Sequence, residues 1–307
     1  MQIGLHEENG MLCLTGFGRP FGLLKDSSGR LLVTDMNLHG VFRFSNNLGQ
    51  IEWLGGSNDN WVSLGAVQRD QTFAQKTAVA PGRFNGPHSV CELESGLLAV
   101  LTYYTPRLFL LDRSGAARSE IGRGHLKGPA TITLDSRGRL LVAEYASNSI
   151  LAFEGRGAAI GCFLGGLGGG RDGFLSDASF SADQKQGAFD RPHMCREVPG
   201  GDLLVADTWN HRIQRFNSDG KWLGYFGKSA GGQPGEYCGP VAISVSPDGS
   251  VLITDWGNNR LQWFDNIGNL LSMEEGRGLS KPYDALAFED QVVAADSENG
   301  RVLLWAR

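Results

Sequence analysis

Two histidines and a tyrosine, each directly after a proline, are the residues of this chain best suited to chemistry. They are His88, His193 and Tyr283, and Asp284 follows the tyrosine. Imidazole nitrogens bind divalent transition metals such as zinc, and a metal with an open coordination position supports catalysis. Without a metal, histidine, tyrosine and carboxylate side chains can transfer protons as general acids and bases. These four residues are therefore the predicted catalytic residues.

A metal bound by the two histidines needs a further protein ligand, which an oxygen of Tyr283 or Asp284 could supply, and the sequence offers two further histidines as candidates. His125, four residues before Pro129, joins His88 and His193 in the predicted metal site, and His39 is the alternative. The predicted cofactor is a divalent metal, with zinc as the first choice. A simpler interpretation stays open, in which the histidines are hydrogen-bonded side chains that fill a polar channel.

The prolines before these residues belong to a repeat that runs through the chain. A turn glycine follows nine residues after each of the first five prolines, and a residue that is acidic in five of the six copies follows after fourteen or fifteen. Six residues further stands an aliphatic residue in every copy. Such agreement across six copies indicates a true structural repeat. The six prolines are Pro20, Pro87, Pro129, Pro192, Pro240 and Pro282.

Each repeat predicts three strands, and the segments between repeats, such as 220–227, predict a fourth. The apolar runs do not alternate with polar residues, so both faces of these strands are expected to be covered. Six units of four antiparallel strands predict an all-β fold, a six-bladed β-propeller that forms one domain over residues 1–307. The last repeat lacks its fourth strand, and residues 9–18 match the pattern of 219–227. The N-terminal strand is therefore predicted to close the last blade.

The segment 206–216, Ala-Asp-Thr-Trp-Asn-His-Arg-Ile-Gln-Arg-Phe, resembles the signature of NHL-repeat propellers, and residues 254–261 are similar to it. The resemblance extends over essentially the whole chain and implies the same fold. It implies no single activity, because similar propellers serve as lyases, hydrolases, sensors and binding platforms. Pro87-His88 and Pro192-His193 also resemble the Pro-His positions of the peptidyl-α-hydroxyglycine α-amidating lyase, a propeller whose histidines bind zinc.

The residue after each proline is expected at the mouth of the central channel, where the six blades converge. In alternate blades it is polar (His88, His193 and Tyr283), and in the others it is Phe21, Ala130 and Val241. Two long insertions, at about 45–86 and 154–191, each lead into a Pro-His blade. Long loops beside a functional rim are commonly lids or specificity elements, although these two could also be structural covers.

Two functions of different classes follow from this pattern. The favoured one is a small-molecule enzyme, a metal-assisted lyase or hydrolase that acts at the channel mouth. The alternative is a platform without catalytic activity that binds a peptide or protein partner through its rim. The predicted ligand-binding residues are Arg191, Tyr103, Tyr104, Trp61, Trp209 and Trp256.

Composition excludes several other classes. The 307 residues carry a formal charge of -5, which gives no broad electrostatic reason to bind nucleic acid. No apolar run reaches the ~18 residues of a membrane-spanning helix, and no signal segment is recognisable, so a cytoplasmic protein without membrane contact is expected. Residues 168–173 spell G-x-G-x-x-G outside a Rossmann context, so no nucleotide cofactor is expected.

Overall fold

The computed structural model describes residues 2–56, 58–74, 82–121, 126–154, 163–167 and 186–307. Within these residues the chain forms six sheets, whose first strands contact one another in a closed ring. The N-terminal hairpin consists of β1 (Gly4–Glu8) and β2 (Met11–Thr15). Blade one consists of β3 (Pro20–Lys25), β4 (Leu31–Asp35), β5 (Gly40–Phe44) and β6 (Gln50–Gly55), and is followed by β7 (Val62–Ala66) and β8 (Gln68–Arg69).

The remaining blades follow in chain order. Blade two consists of β9 (Pro87–Glu92), β10 (Leu98–Thr102), β11 (Arg107–Leu111) and β12 (Ala117–Ile121). Blade three consists of β13 (Pro129–Leu134), β14 (Arg139–Glu144), β15 (Ser149–Glu154) and β16 (Phe163–Leu167). Blade four consists of β17 (Met194–Glu197), β18 (Leu203–Asp207), β19 (Arg212–Phe216) and β20 (Trp222–Phe226). Blade five consists of β21 (Pro240–Val245), β22 (Val251–Asp255), β23 (Arg260–Phe264) and β24 (Leu270–Glu274), and blade six of β25 (Pro282–Ala287), β26 (Gln291–Asp296) and β27 (Arg301–Ala306).

The predicted six-bladed propeller is confirmed, and the N-terminal strand closes it. Strand β2 pairs antiparallel with β27, with Leu14 opposite Val302. Two sheets exceed the predicted four strands, because β7 adds to blade one while β1 and β8 extend blade six to six strands. These additions cover outer edges whose backbone groups would otherwise lack partners. Among the described residues, no helix is long and apolar enough to span a membrane.

The second strand of most blades is buried on both faces, as its unbroken apolar sequence predicts. Every residue of β4, β10, β18 and β22 is buried. Apolar clusters form between neighbouring blades, for example where Phe226 and Tyr237 pack with Phe264. The core is therefore distributed around the ring, and each blade relies on its two neighbours for burial.

The recurring acidic residues have a structural role, as their repetition predicts. Asp35 accepts backbone N–H bonds from Gly18 and Arg19, in the loop that leads into its own blade, and from two residues of the following turn. In blades four to six the acid also pairs with an arginine of the third strand. These pairs are Asp207–Arg212 at 2.6 Å, Asp255–Arg260 at 2.9 Å and Asp296–Arg301 at 2.7 Å.

A second recurring contact joins neighbouring blades. The accepting residue follows the second strand of a blade and has a left-handed backbone conformation. Its side chain accepts a hydrogen bond from the backbone N–H of the residue that precedes the next proline. The pairs are His39–Gly86, Asn148–Arg191, His211–Gly239 and Asn259–Lys281, at 2.8 to 2.9 Å. His39, the alternative metal ligand, uses its Nδ1 in this contact and so has a structural role in joining blades one and two.

Candidate functional site

The side chains of three alternate blades meet at the channel mouth. The rings of His88 and His193 lie with their centroids 5.3 and 5.5 Å from the ring of Tyr283. Phe21 packs against the same group, 3.8 Å from Tyr283 and 4.4 Å from His88. The position after the proline is the second residue of the innermost strand, or in blade four immediately precedes it, which explains why residues far apart in sequence converge here.

Each histidine uses one ring nitrogen within the protein. Nδ1 of His88 lies 2.5 Å from the carbonyl oxygen of Ala130, and because a carbonyl only accepts, the ring proton lies on Nδ1. The hydroxyl of Tyr283 and Nδ1 of His193 lie 3.2 Å apart, so this hydrogen bond crosses the channel. No hydrogen bond joins either Nε2 to another of the described residues, which leaves both atoms for a ligand or a proton.

Burial keeps this group of residues uncharged at neutral pH. It lowers the pKa of His88 to about 4 and that of His193 to about 3, and the positive charge of His88 adds to the lowering at His193. Burial also raises the pKa of Tyr283 well above its usual value. The two imidazoles are therefore neutral and the phenol stays protonated.

The described residues of the mouth match a metal site only in part. Two Nε2 atoms are available, but the third predicted ligand, His125, lies outside the described residues. The raised pKa of Tyr283 disfavours a phenolate ligand. A catalytic zinc usually takes three protein ligands, so zinc binding at His88 and His193 stays a prediction.

Across the described ranges, one group of three metal-ligating side chains lies elsewhere. It consists of His6, Glu8 and Cys13, on the paired strands β1 and β2 at the outer part of blade six. A guanidinium nitrogen of Arg301 lies 3.5 Å from the Glu8 carboxylate. This positive charge opposes the binding of a cation, so the group offers no alternative to the mouth.

Asp284, the fourth predicted catalytic residue, holds the last blade to the first. One carboxylate oxygen accepts the N–H of Leu23 and the other accepts the N–H of Ala285, both at 2.9 Å. Burial raises its pKa to about 7, although the two amide donors oppose the rise. With both oxygens bound to backbone, Asp284 is placed to stabilise ring closure.

Replacing Asp284 is expected to change how stability depends on pH. The pKa of about 7 in the folded protein exceeds the ~3.9 of an unfolded chain, so the folded state holds this proton more tightly between these values. The free energy of unfolding of wild type minus that of Asp284→Asn should therefore increase as pH falls from about 7 to 4, by at most ~4 kcal/mol. Urea unfolding at several pH values measures the difference. Asp290→Asn, the same substitution on the exposed turn of the same blade, is the control variant.

An open cleft of about 600 Å³ lies on the rim of blades two to four, beside the histidines. Tyr103 forms one wall and stacks on His88, with ring centroids 5.3 Å apart and planes 25° apart. Tyr145 forms another wall and meets His193 edge-on at 5.2 Å. The lining residues are Tyr103, Tyr104, Pro106, Lys127, Gly128, Tyr145, Ala146, Asn148, Asp190 and Arg191.

Three predicted ligand-binding residues line this cleft, and a fourth adjoins it. Arg191 lies in the cleft with Tyr103 and Tyr104. Its guanidinium carbon is 4.2 Å from the ring centroid of Trp209, which is half exposed. Trp256 lies in blade five, where the Lys281 ammonium stands 4.1 Å above its ring, and it does not line the cleft.

Trp61 is not brought to the rim. Its backbone N–H donates to Ser114, in the turn between the third and fourth strands of blade two, and its ring packs 4.0 Å from the guanidinium of Arg43. That turn is at the end of the blade opposite to the channel mouth. Residues 58–74 of the first insertion run along outer strands, so the predicted lid position is wrong for this part. Of the second insertion, residues 155–162 and 168–185 lie outside the described residues.

The sequence analysis did not identify Tyr145, Asn148 or Lys127 as site residues. A signal was present for Tyr145, which directly follows the recurring acidic residue Glu144 as Tyr103 follows Thr102 in blade two. Asn148 had a signal as well, because it follows Pro129 at the spacing at which His211 follows Pro192. Lys127 carries no comparable signal, because its importance depends on which loops adjoin one another on the rim.

Comparisons with known proteins agree with this architecture. Residues 195–216 and 237–264 match the NHL repeat, whereas no curated protein matches the sequence. A gluconolactonase from Xanthomonas campestris has 13% identity and a TM-score of 0.64, over 97% of this chain and 91% of that chain. An inactive virginiamycin B lyase from Staphylococcus aureus, solved with quinupristin, has 14% identity and a TM-score of 0.59, over 99% and 97%. The WD40 propeller domain of Doa1 has 11% identity and a TM-score of 0.59, over 95% and 94%. At such identities the likeness concerns the fold alone, and the chain is a six-bladed β-propeller that carries NHL repeats.

Proposed function

We propose that this propeller is an enzyme that acts on a small molecule at the channel mouth, as a lyase or a hydrolase. One observation carries the proposal: two of the rings that wall the rim cleft pack directly on His88 and His193. A ligand in the cleft would therefore be separated by one aromatic ring from each of two neutral imidazoles, whose Nε2 atoms make no hydrogen bond to the described residues. A platform would not require such a pair at the centre of the ring.

The hydrogen bonds support complementary roles for the two histidines in this proposal. The N–H at Nδ1 of His88 donates a hydrogen bond to the carbonyl oxygen of Ala130, so Nε2 has a free lone pair and acts as the base. In the tautomer in which the Tyr283 hydroxyl donates to Nδ1 of His193, the ring proton lies on Nε2, which can donate a hydrogen bond to a developing negative charge. Such a pair can remove a proton from the substrate or from a water molecule at His88, stabilise the developing negative charge by a hydrogen bond from His193, and return the proton from His88 to the leaving group. A divalent metal held by both Nε2 atoms would instead polarise a carbonyl or lower the pKa of bound water.

Turnover assays with two compounds test the proposal. Glucono-δ-lactone and quinupristin are chosen because the similar structures are named for a gluconolactonase and were solved with quinupristin. We expect wild type to turn over at least one of them, and His88→Gln and His193→Gln to lose about 10²- to 10⁴-fold in kcat/KM. His211→Asn is the matched control, because Asn148 and Asn259 make the same interblade contact in other blades. Unchanged kcat/KM in both histidine variants would contradict the proposed roles.

A peptide-binding or protein-binding platform is the second candidate. It is favoured by Tyr104 and Trp209, which are 54% and 53% exposed on the rim. Exposed aromatic residues of this kind are typical of binding hot spots. Absence of turnover for both compounds, together with a defined peptide ligand whose affinity falls in a Tyr104→Ala/Trp209→Ala variant, would favour the platform over the enzyme.

A further inference from the structure

Arg191 has a backbone conformation that favours glycine. It stands directly before Pro192 with φ of 50°, in the left-handed region. Gly86 and Gly239, which precede the prolines of two other blades, have φ of 65° and 62°. A side chain at such a position costs strain energy, which the surrounding contacts must offset. The Asn148 side chain supplies one of these contacts by accepting the Arg191 N–H at 2.8 Å.

Within the part of the chain that the structure describes, the guanidinium of Arg191 is held in place without an acidic partner. It lies 4.2 Å from the Trp209 centroid and 5.2 Å from the Tyr145 centroid, and Nη1 donates to the Tyr145 hydroxyl at 3.1 Å. No carboxylate of the described residues lies within ion-pair distance of it. By contrast, Arg212 and Arg260 each pair with a recurring acidic residue. Arg191 is therefore oriented by aromatic side chains, and most of its N–H donors have no acceptor among the described residues.

We propose that Arg191 is the subsite for the carboxylate of a planar small molecule, whose ring or apolar part lies on Tyr103 and Tyr104. An arginine fork matches a carboxylate with two parallel hydrogen bonds. Lys127 adds a second positive charge to the cleft lining, and Asp190 is the one acidic residue among the lining side chains. This inference rests on the proposed function, since it names the class of molecule that the same cleft would present to the histidines.

Binding of phenylacetate tests the subsite without any assay of turnover. Phenylacetamide has the same shape without the charge and serves as the matched probe. Ligand-observed NMR is expected to show roughly millimolar binding of phenylacetate and at least about tenfold weaker binding of the amide. Arg191→Gln should lower the affinity for phenylacetate to that of the amide. Tyr145→Phe, which removes the hydroxyl that orients the guanidinium, should weaken binding of phenylacetate more than binding of the amide.

Lys281→Gln is the control variant for this experiment. Lys281 also precedes a proline with φ of 49° and stands over a tryptophan, Trp256, but it does not line the cleft. It should keep wild-type affinity for phenylacetate. Equal binding of the two probes, no binding of either, or unchanged affinity in a folded Arg191→Gln variant would overturn the subsite. Binding of phenylacetate by a protein that turns over no compound would leave the subsite standing and contradict only the enzymatic proposal.

Discussion

Deletion of residues 1–18 is expected to unfold the whole propeller, and its effect should extend far beyond one blade. Six apolar side chains of this segment are buried: Ile3, Leu5, Met11, Cys13, Leu14 and Phe17. Burial of a large apolar side chain contributes about 1.5–3 kcal/mol. For six side chains the sum is about 9–18 kcal/mol, which is as large as the total stability of a typical domain. The deletion would also leave β27 as an unpaired edge.

Two point variants on β2 separate the packing effect from a general effect of changing the N-terminus. Leu14 is fully buried opposite Val302, whereas Leu12 is 38% exposed on the same strand. Leu14→Ala is expected to lower the free energy of unfolding by about 2–5 kcal/mol, and Leu12→Ala by much less. Chemical unfolding measures all three proteins. A truncated protein that unfolds at the wild-type denaturant concentration would refute closure by the N-terminal strand.

Acid is expected to destabilise the propeller through His88 and His193. Their pKa values in the folded protein, about 4 and about 3, lie below the ~6.5 of an unfolded chain. The unfolded state therefore binds more protons, and the stability present above pH 6.5 is lost as pH falls toward these values. Between pH 6.5 and 4 each histidine should cost about 3 kcal/mol.

Asp284 acts in the opposite direction over the same pH range, so the histidine effect is measured in the Asp284→Asn background. There the free energy of unfolding should fall by about 6 kcal/mol between pH 6.5 and 4, and wild type should lose less. Adding His193→Gln should remove about half of the loss, because glutamine does not titrate. His211→Gln, outside the channel mouth, serves as the control. An equal loss with and without His193→Gln would show that the imidazole of His193 does not cause the acid sensitivity.

The repeat is the part of this protein that the sequence determined by itself. Periodic prolines, turn glycines and unbroken apolar runs predict strands and turns because these preferences act within a few residues. Six copies of one pattern allow little other than a ring of blades, and the match of 9–18 to 219–227 identifies how the ring closes. The alternation at the residue after each proline likewise predicts that His88, His193 and Tyr283 share the channel mouth.

Only the tertiary structure decided what these residues contact. Asp284 meets Leu23 of blade one, and Arg191 is held between Tyr145 and Trp209 of different blades. Such contacts depend on the distance and rotation between neighbouring blades, which no local pattern records. Trp61 shows the same limit, because a loop between blades can pass along either end of a sheet. Hydrogen-bond partners and burial, which govern the chemistry of the histidines, are properties of the assembled ring.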